Sequence, residues 1–258
     1  MNKKLRIKIL ETIMCAGEGH IPSSFSIIDI IDYLYSKVLK VNKNNFKKET
    51  RDYFILSKGH GCVALYVVLE KVGILLKDDL LNFCSKKGIL GGHPDETKVP
   101  GIEASTGSLG HGLPTAVGVA LGLKIKKKKN KVFVLVGDGE SQEGTIWEAA
   151  NIATNLKLDN MCVVVDWNGS AAQLMPIDNL KDKWKAFGWN VHYLRDGHNY
   201  NEIKKTFNKV KFNTKRPSVI IAKTIKGKGV SFMEGHGKWH HRTPNKDEMK
   251  EVLKQLND

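Results

Sequence analysis

Five short runs of nearly continuous apolar residues punctuate the chain, at 53–56, 131–136, 161–165, 189–193 and 219–222. Rich in valine and isoleucine, they suit strands covered on both faces, as in a parallel sheet. Between them, apolar positions recur every three or four residues. Residues 26–38 carry Ile27, Ile30, Ile31, Leu34 and Val38 at that spacing, and 63–72 and 115–127 read similarly. In 140–156 one helical face collects Ile146, Ala149, Ala150, Ala153 and Leu156. The basic first residues pass into an amphipathic helix, and the last dozen read as a polar helix. Alternating strands and helices predict an α/β fold, a doubly wound and mostly parallel sheet flanked by helices, forming one domain over 1–258. Two long irregular segments, 88–122 and 226–243, interrupt the pattern. Both contain histidines and read as functional.

At 258 residues the chain can bury a sizeable core. No apolar run approaches the roughly 18–20 residues of a membrane span, and no signal-type apolar stretch follows the basic start. The expectation is a cytoplasmic protein with no membrane partner. Cys15, Cys62, Cys84 and Cys162 are widely spaced and read as buried free thiols in a reducing compartment. The formal charge of +14 comes mostly from lysine, in scattered positions or short runs such as 126–129. Without a helix-turn-helix, zinc finger or RNP-type motif, it reads as a solvated lysine-rich surface, with no nucleic acid expected. The same charge is compatible with a field that attracts phosphorylated metabolites.

The chemistry concentrates in Gly137-Asp138-Gly139 and in Asn168, each at the end of an apolar run. Flanking glycines let the backbone turn sharply and approach a ligand. Asp138 can offer a carboxylate oxygen and Asn168 an amide oxygen to magnesium or calcium, with a backbone carbonyl near Ser170 as a third ligand. Two diphosphate oxygens and a water would complete an octahedron. Alone, the Gly-Asp-Gly turn is equally a helix cap; the second strand and Asn168 favour the metal. Five histidines, His20, His60, His93, His111 and His240, occupy glycine-containing turns. Imidazoles in such loops suit contacts to phosphate oxygens and proton transfer near neutral pH, and their spacing does not match a zinc site. His192, His198, His236 and His241 read as bystanders.

These blocks, in order, resemble transketolases across nearly the whole chain. The resemblance rests on Gly19-His20, on Ser57-Lys-Gly-His60-Gly, on Gly91-Gly-His93-Pro-Asp, and on Ser105-Thr-Gly107-Ser-Leu109-Gly-His111-Gly. It continues through Gly137-Asp138-Gly139 to Asn168, and closes on Lys223-Thr-Ile-Lys-Gly-Lys-Gly-Val-Ser-Phe with His240 beyond. It implies thiamine diphosphate and Mg2+ (or Ca2+ or Mn2+) as cofactors, with Asp138, Asn168 and Ser170 holding the metal. His60, Gly139 and His240 would contact the diphosphate, Gly107 and Leu109 would pack on the cofactor, and His20, His93 and His240 would face the donor sugar and relay protons. Glu143 and Glu148 would lie at a subunit interface. The implied reaction is transfer of a two-carbon ketol unit between sugar phosphates. Departures are 169–176 after the metal asparagine, His111 where glutamine is common, and Pro22 in the turn after His20.

Transketolases also use a pyrimidine-side domain with an activating glutamate, for which these 258 residues leave no room. The expectation is therefore the N-terminal subunit of a split transketolase. It would be inactive without a C-terminal partner and would assemble as two copies of each chain. The alternatives are the alpha subunit of a 2-oxoacid dehydrogenase and a catalytically silent paralogue that binds or regulates a partner.

Overall fold

A computed structural model describes residues 1–235 and 237–257; His236 lies outside the described residues. Strands β1 (Tyr53–Leu56), β2 (Val132–Gly137), β3 (Met161–Trp167), β4 (Asn190–Leu194) and β5 (Ser218–Lys223) form one sheet. Their order is β1-β2-β3-β5-β4, and every neighbouring pair is parallel. Each apolar run forms its strand within two residues of expectation. β3 runs past its apolar stretch because the ladder with β5 continues through Asp166 opposite Ala222 and Trp167 opposite Lys223.

Alternation along the strands sorts the core into two layers. Phe54, Leu56, Phe133, Leu135, Cys162, Val164, Ile220 and Ala222 face helices α1 (Lys3–Ala16), α2 (Ile21–Tyr33), α3 (Cys62–Lys71), α4 (Lys77–Leu81), α8 (Tyr200–Phe207) and α9 (Lys246–Asn257). Ile55, Val134, Val136, Val163, Val165, Val219 and Ile221 face α5 (Gly112–Ile125), α6 (Gly144–Asn155) and α7 (Leu180–Ala186). With both faces covered, only the strand ends remain available for chemistry.

Some expectations shift. α2 begins at Ile21, five residues early, because Pro22 sits in the first turn, where a missing N–H costs nothing. Pro22 therefore opens a helix and does not interrupt the turn after His20. α6 begins only at Gly144, behind a tight turn at Glu140–Gln142. The Glu140 carboxylate there accepts backbone N–H groups, and the turn is a single 3-10 turn set off from α6 by Glu143. The short helices α4, α7 and α8 lie where no helical period was noted. Cys62 and Cys162 are buried, but Cys84 is half-buried and Cys15 is exposed, contrary to the thiol reading. No helix among the described residues is long and apolar enough to cross a membrane.

One buried network fastens the chain's two ends beneath the sheet's carboxyl end. Arg6, fully buried, donates to both carboxylate oxygens of Asp29 at 3.1 and 2.6 Å, and to the carbonyls of Phe25 at 3.0 Å and Lys228 at 2.8 Å. His198 Nε2 accepts from the Ile225 N–H at 2.9 Å, so its Nδ1, 3.1 Å from Asp29, carries the proton and donates. His198 is thus a buried structural residue, not a bystander. Burial opposes ionisation of Asp29, but the hydrogen bonds from His198 and Arg6 prevail and hold its pKa well below the usual range. Truncation by Arg6→Ala leaves that buried carboxylate without its cationic partner, with only the Asn2 N–H and His198 still donating, and should lower unfolding free energy by about 3 kcal/mol in urea titrations. A loss under about 1 kcal/mol would show that the network holds without its arginine.

Candidate active site

At the carboxyl ends of β1, β2 and β3, a pocket of about 290 Å3 is lined by Ser23, Lys58, His60, Leu109, Gly137, Asp138, Gly139, Asn168, Ser170, Lys226 and His240, among others. Nearly all the residues singled out from sequence for metal and diphosphate contact converge here. Gly107 and His93 stand outside this wall. Gly107, with φ of +148°, lets the His93 ring approach so closely that a Cβ would meet it at 3.0 Å. His111 is exposed and turns back on its own loop, near Ser108 and the Leu109 carbonyl.

The buried Asp138 extends the strand ladder, its N–H donating to the Asp166 carbonyl at 3.1 Å. Its carboxylate accepts the Gly139 N–H at 2.8 Å and faces the Ala171 N–H at 3.4 Å. Burial first, and Asp166 second, raise its pKa. Asn168 donates its amide nitrogen to Asp166 at 2.9 Å, which fixes the side chain's orientation, while its oxygen accepts the Ser170 N–H at 2.9 Å. Sequence reading missed Asp166. It is fully buried, forms an ion pair with Lys58, and accepts from the hydroxyls of Ser26, at 2.7 Å, and Thr224. Burial favours its neutral form, yet Lys58 and the hydroxyl donors keep its pKa lowered. A lone carboxylate at the end of a valine run was the available signal.

Glu140, also missed, ties three blocks together. One carboxylate oxygen accepts from the Ser57 hydroxyl and the Gly110 N–H at 2.9 Å, and the other accepts the Gly137 N–H at 3.0 Å. Burial nonetheless raises its pKa. Lys226, the third omission, donates to the Ser170 hydroxyl at 2.9 Å and lies 2.8 Å from His240 Nδ1. Burial, then the charge of Lys58, pulls its pKa down to about 8. An acid pushed up and an amine pushed down in one pocket call for the same complement: a cation at Asp138 and an anion at Lys226. A divalent ion carrying a diphosphate supplies both, and the hard oxygens of Asp138 and Asn168 suit it.

Above this floor the histidines gather. The His20 ring centroid lies 4.8 Å from that of His60, 5.5 Å from His240, 6.3 Å from His93 and 4.5 Å from His241. His60 and His93 are 5.3 Å apart. His241 therefore belongs to the cluster, against the sequence reading. Although the spacing showed no zinc pattern, one ring nitrogen from each of His20, His60 and His240 falls within 4.8 Å of the others. Burial and the neighbouring rings lower His20 to about 3. Burial, His93, His240 and nearby lysines lower His60 to about 4. At neutral pH these two rings are neutral, able to accept one proton and donate another.

Sheet, pocket and ring cluster together define an α/β protein whose strand ends set a buried carboxylate and a lysine in one pocket beneath a cluster of imidazoles. Comparison with known proteins gives the family: the transketolase, thiamine diphosphate binding domain matches residues 1–257, and the chain belongs to it. One of the subunits of the apulose-4-phosphate transketolase of Phocaeicola vulgatus is 38% identical over 262 residues, covering 100% of this chain and 92% of that protein. The 6-deoxy-6-sulfo-D-fructose transketolase subunit SqwG of a Clostridium species is 38% identical, covering 98% of this chain and 93% of the relative. The solved transketolase of Campylobacter jejuni superposes with a TM-score of 0.91 at 32% identity, covering 98% of this chain but 41% of that one. The chain thus spans most of the subunit-type relatives and about two fifths of the single-chain transketolase. The chain is of the transketolase type, and the 2-oxoacid dehydrogenase alternative is not favoured.

The depressed imidazoles set a pH dependence. A histidine with a folded pKa below its unfolded value resists a proton that the unfolded chain accepts. Stability is therefore full above about pH 6.5 and declines on acidification until the folded rings titrate near 4 and 3. Melting temperature should fall between pH 7 and 4.5, and His20→Gln with His60→Gln should flatten that slope. An unchanged slope in the double variant would assign the acid sensitivity elsewhere.

Proposed function

We propose that this chain is the diphosphate-side subunit of a two-subunit transketolase, moving a two-carbon ketol unit from a ketose phosphate to an aldose phosphate. It would form one domain over 1–258. A C-terminal partner would supply the pyrimidine-side domain and the catalytic glutamate, in a cytoplasmic assembly of two copies of each chain. The observation that carries the reading is the convergence of Asp138, Asn168, Lys226 and the histidine cluster at one end of one sheet. The names of relatives, one for apulose 4-phosphate and one for 6-deoxy-6-sulfo-D-fructose, support an anionic sugar as substrate.

In this reading Asp138, Asn168 and the Ser170 carbonyl hold Mg2+, with Ca2+ or Mn2+ acceptable to the same oxygens. His60, Gly139, Lys226 and His240 hold the diphosphate, while Gly107 and Leu109 shape the wall against the cofactor. Thiamine diphosphate, when bound, supplies the electron sink that the carbon–carbon cleavage needs. The chain's own share is orientation and proton traffic. His20, His93 and His240 face the donor sugar, and a neutral ring accepts the donor hydroxyl proton as the bond breaks and returns it to the acceptor. Leu109 in the pocket wall helps exclude water.

The test is co-expression with the gene for a pyrimidine-side subunit, followed by a ketol-transfer assay over a panel of ketose phosphates with thiamine diphosphate and Mg2+. Transfer is expected only from the pair. Release of carbon dioxide from pyruvate, with no ketol transfer, would overturn the reading. Asp138→Ala should abolish turnover, and normal turnover would refute the metal assignment. In Asp166→Asn a neutral amide replaces the carboxylate that accepts from Asn168, weakening the hold on that side chain, so the Mg2+ requirement should rise about 10–100-fold while activity at saturating metal persists.

A further inference from the structure

In a parallel sheet every strand begins at one end, and here that end collects the charge. The segments entering the five strands, 39–52, 126–131, 156–160, 187–189 and 208–217, contain fifteen lysines and arginines against three acids. Those leaving the strands on the pocket side, 57–61, 138–143, 168–179, 195–199 and 224–245, contain six against six. The remainder of the chain is nearly balanced, so the entering segments account for almost the whole formal charge of +14. A lysine-rich composition alone would spread its excess over the surface. Folding converts a scattered sequence feature into a polar one.

The details at this end agree. Thirteen of the fifteen cations are exposed. Two of the three acids are tied down: Asp52 accepts the backbone N–H groups of Lys40 and Lys131 at 2.9 and 2.7 Å, and Asp159 accepts that of Lys215 at 2.9 Å. Lys127, Lys157 and Lys215 hold φ of 52°, 52° and 64°, a conformation glycine adopts without strain, so turn geometry does not account for lysine there. Two adjoining hollows of about 530 and 520 Å3 share Lys127, Lys128, Lys129 and Lys131 in their walls.

We propose that this face binds nucleic acid through its phosphodiester backbone, without reading bases. The cations are nearly all lysine, and the aromatic rings in these segments, among them Phe46 and Phe212, are buried or half-buried. That suits phosphate contact and not base stacking or a protein interface anchored by aromatics. Concave hollows fit a rounded strand better than a flat bilayer. The face lies opposite the cofactor pocket, so the inference is independent of the catalytic reading and leaves that pocket open to its partner.

The experiment is fluorescence anisotropy of the full chain with a labelled 20-nucleotide single-stranded RNA between 50 and 200 mM NaCl. Binding should weaken with a log–log salt slope near about −4, as for about six neutralised phosphates. Reversing 126–129 (Lys126→Glu, Lys127→Glu, Lys128→Glu, Lys129→Glu) should weaken binding at least about 100-fold at 50 mM salt, and Lys209→Glu with Lys211→Glu about 10-fold. Lys250→Glu with Lys254→Glu on α9 should change it less than about 2-fold. Matching circular dichroism spectra would establish that the variants fold; if the fourfold variant does not, the double variant and the wild-type slope decide. A slope near zero, equal binding by the strand-end and α9 variants, or capture by phosphatidylserine vesicles without RNA binding would overturn the proposal.

Discussion

The ion pair between Lys58 and Asp166 is the constraint on which the site depends. Asp166 is wholly enclosed, and a bare carboxylate there would be prohibitively costly without Lys58 and its hydroxyl donors. A buried pair of this kind adds little net stability, because desolvation offsets most of the attraction. Its consequence is orientation. One side chain joins α2 through Ser26, β1's exit through Lys58, β5's exit through Thr224, and the Asn168 amide. The Asn168 amide is therefore oriented from the interior of the protein, while its oxygen and the Asp138 carboxylate are met by backbone N–H groups of the adjoining loops.

The same logic explains why basic side chains can crowd one pocket. Burial first, then the neighbouring rings, and for His60 also Lys58 and Lys226, disfavour the charged forms of His20 and His60, so the structure keeps them neutral. Neutral imidazoles contribute hydrogen bonding without repulsion, which leaves the lysines as the positive charge available to an anion. Asp138 provides a position nearby where a cation is favoured. Cation and anion sites lie side by side, which a metal-bound diphosphate matches.

Much of this was legible in the sequence. Buried parallel strands are continuous apolar runs, and each was found within two residues. Asp138, Asn168 and His60 stand in glycine turns just past strand ends, and His240 in a glycine-containing loop further on. Asp166, Glu140, Lys58 and Lys226 were not legible, because their roles arise from contacts across 30 to 140 residues of chain that no local spacing encodes. His198 and His241 looked incidental for the same reason. The lysines gave the clearest case: scattered along the chain, they become one face only when strand direction is known.

The Arg6 network has a consequence for how the molecule comes into being. Arg6 grips a carbonyl 222 residues away, and the segment it holds leads directly into Lys226 and onward to His240. The final wall of the chamber thus cannot close until the last quarter of the polypeptide returns to the first helix. Such long-range closure is slow, since the entropy of a large loop is lost before contacts reward it. A nascent chain can pair β1, β2 and β3 early, but β5 and the anion-binding floor both wait for the segment after residue 217, so competence to receive a coenzyme is a late milestone of biosynthesis.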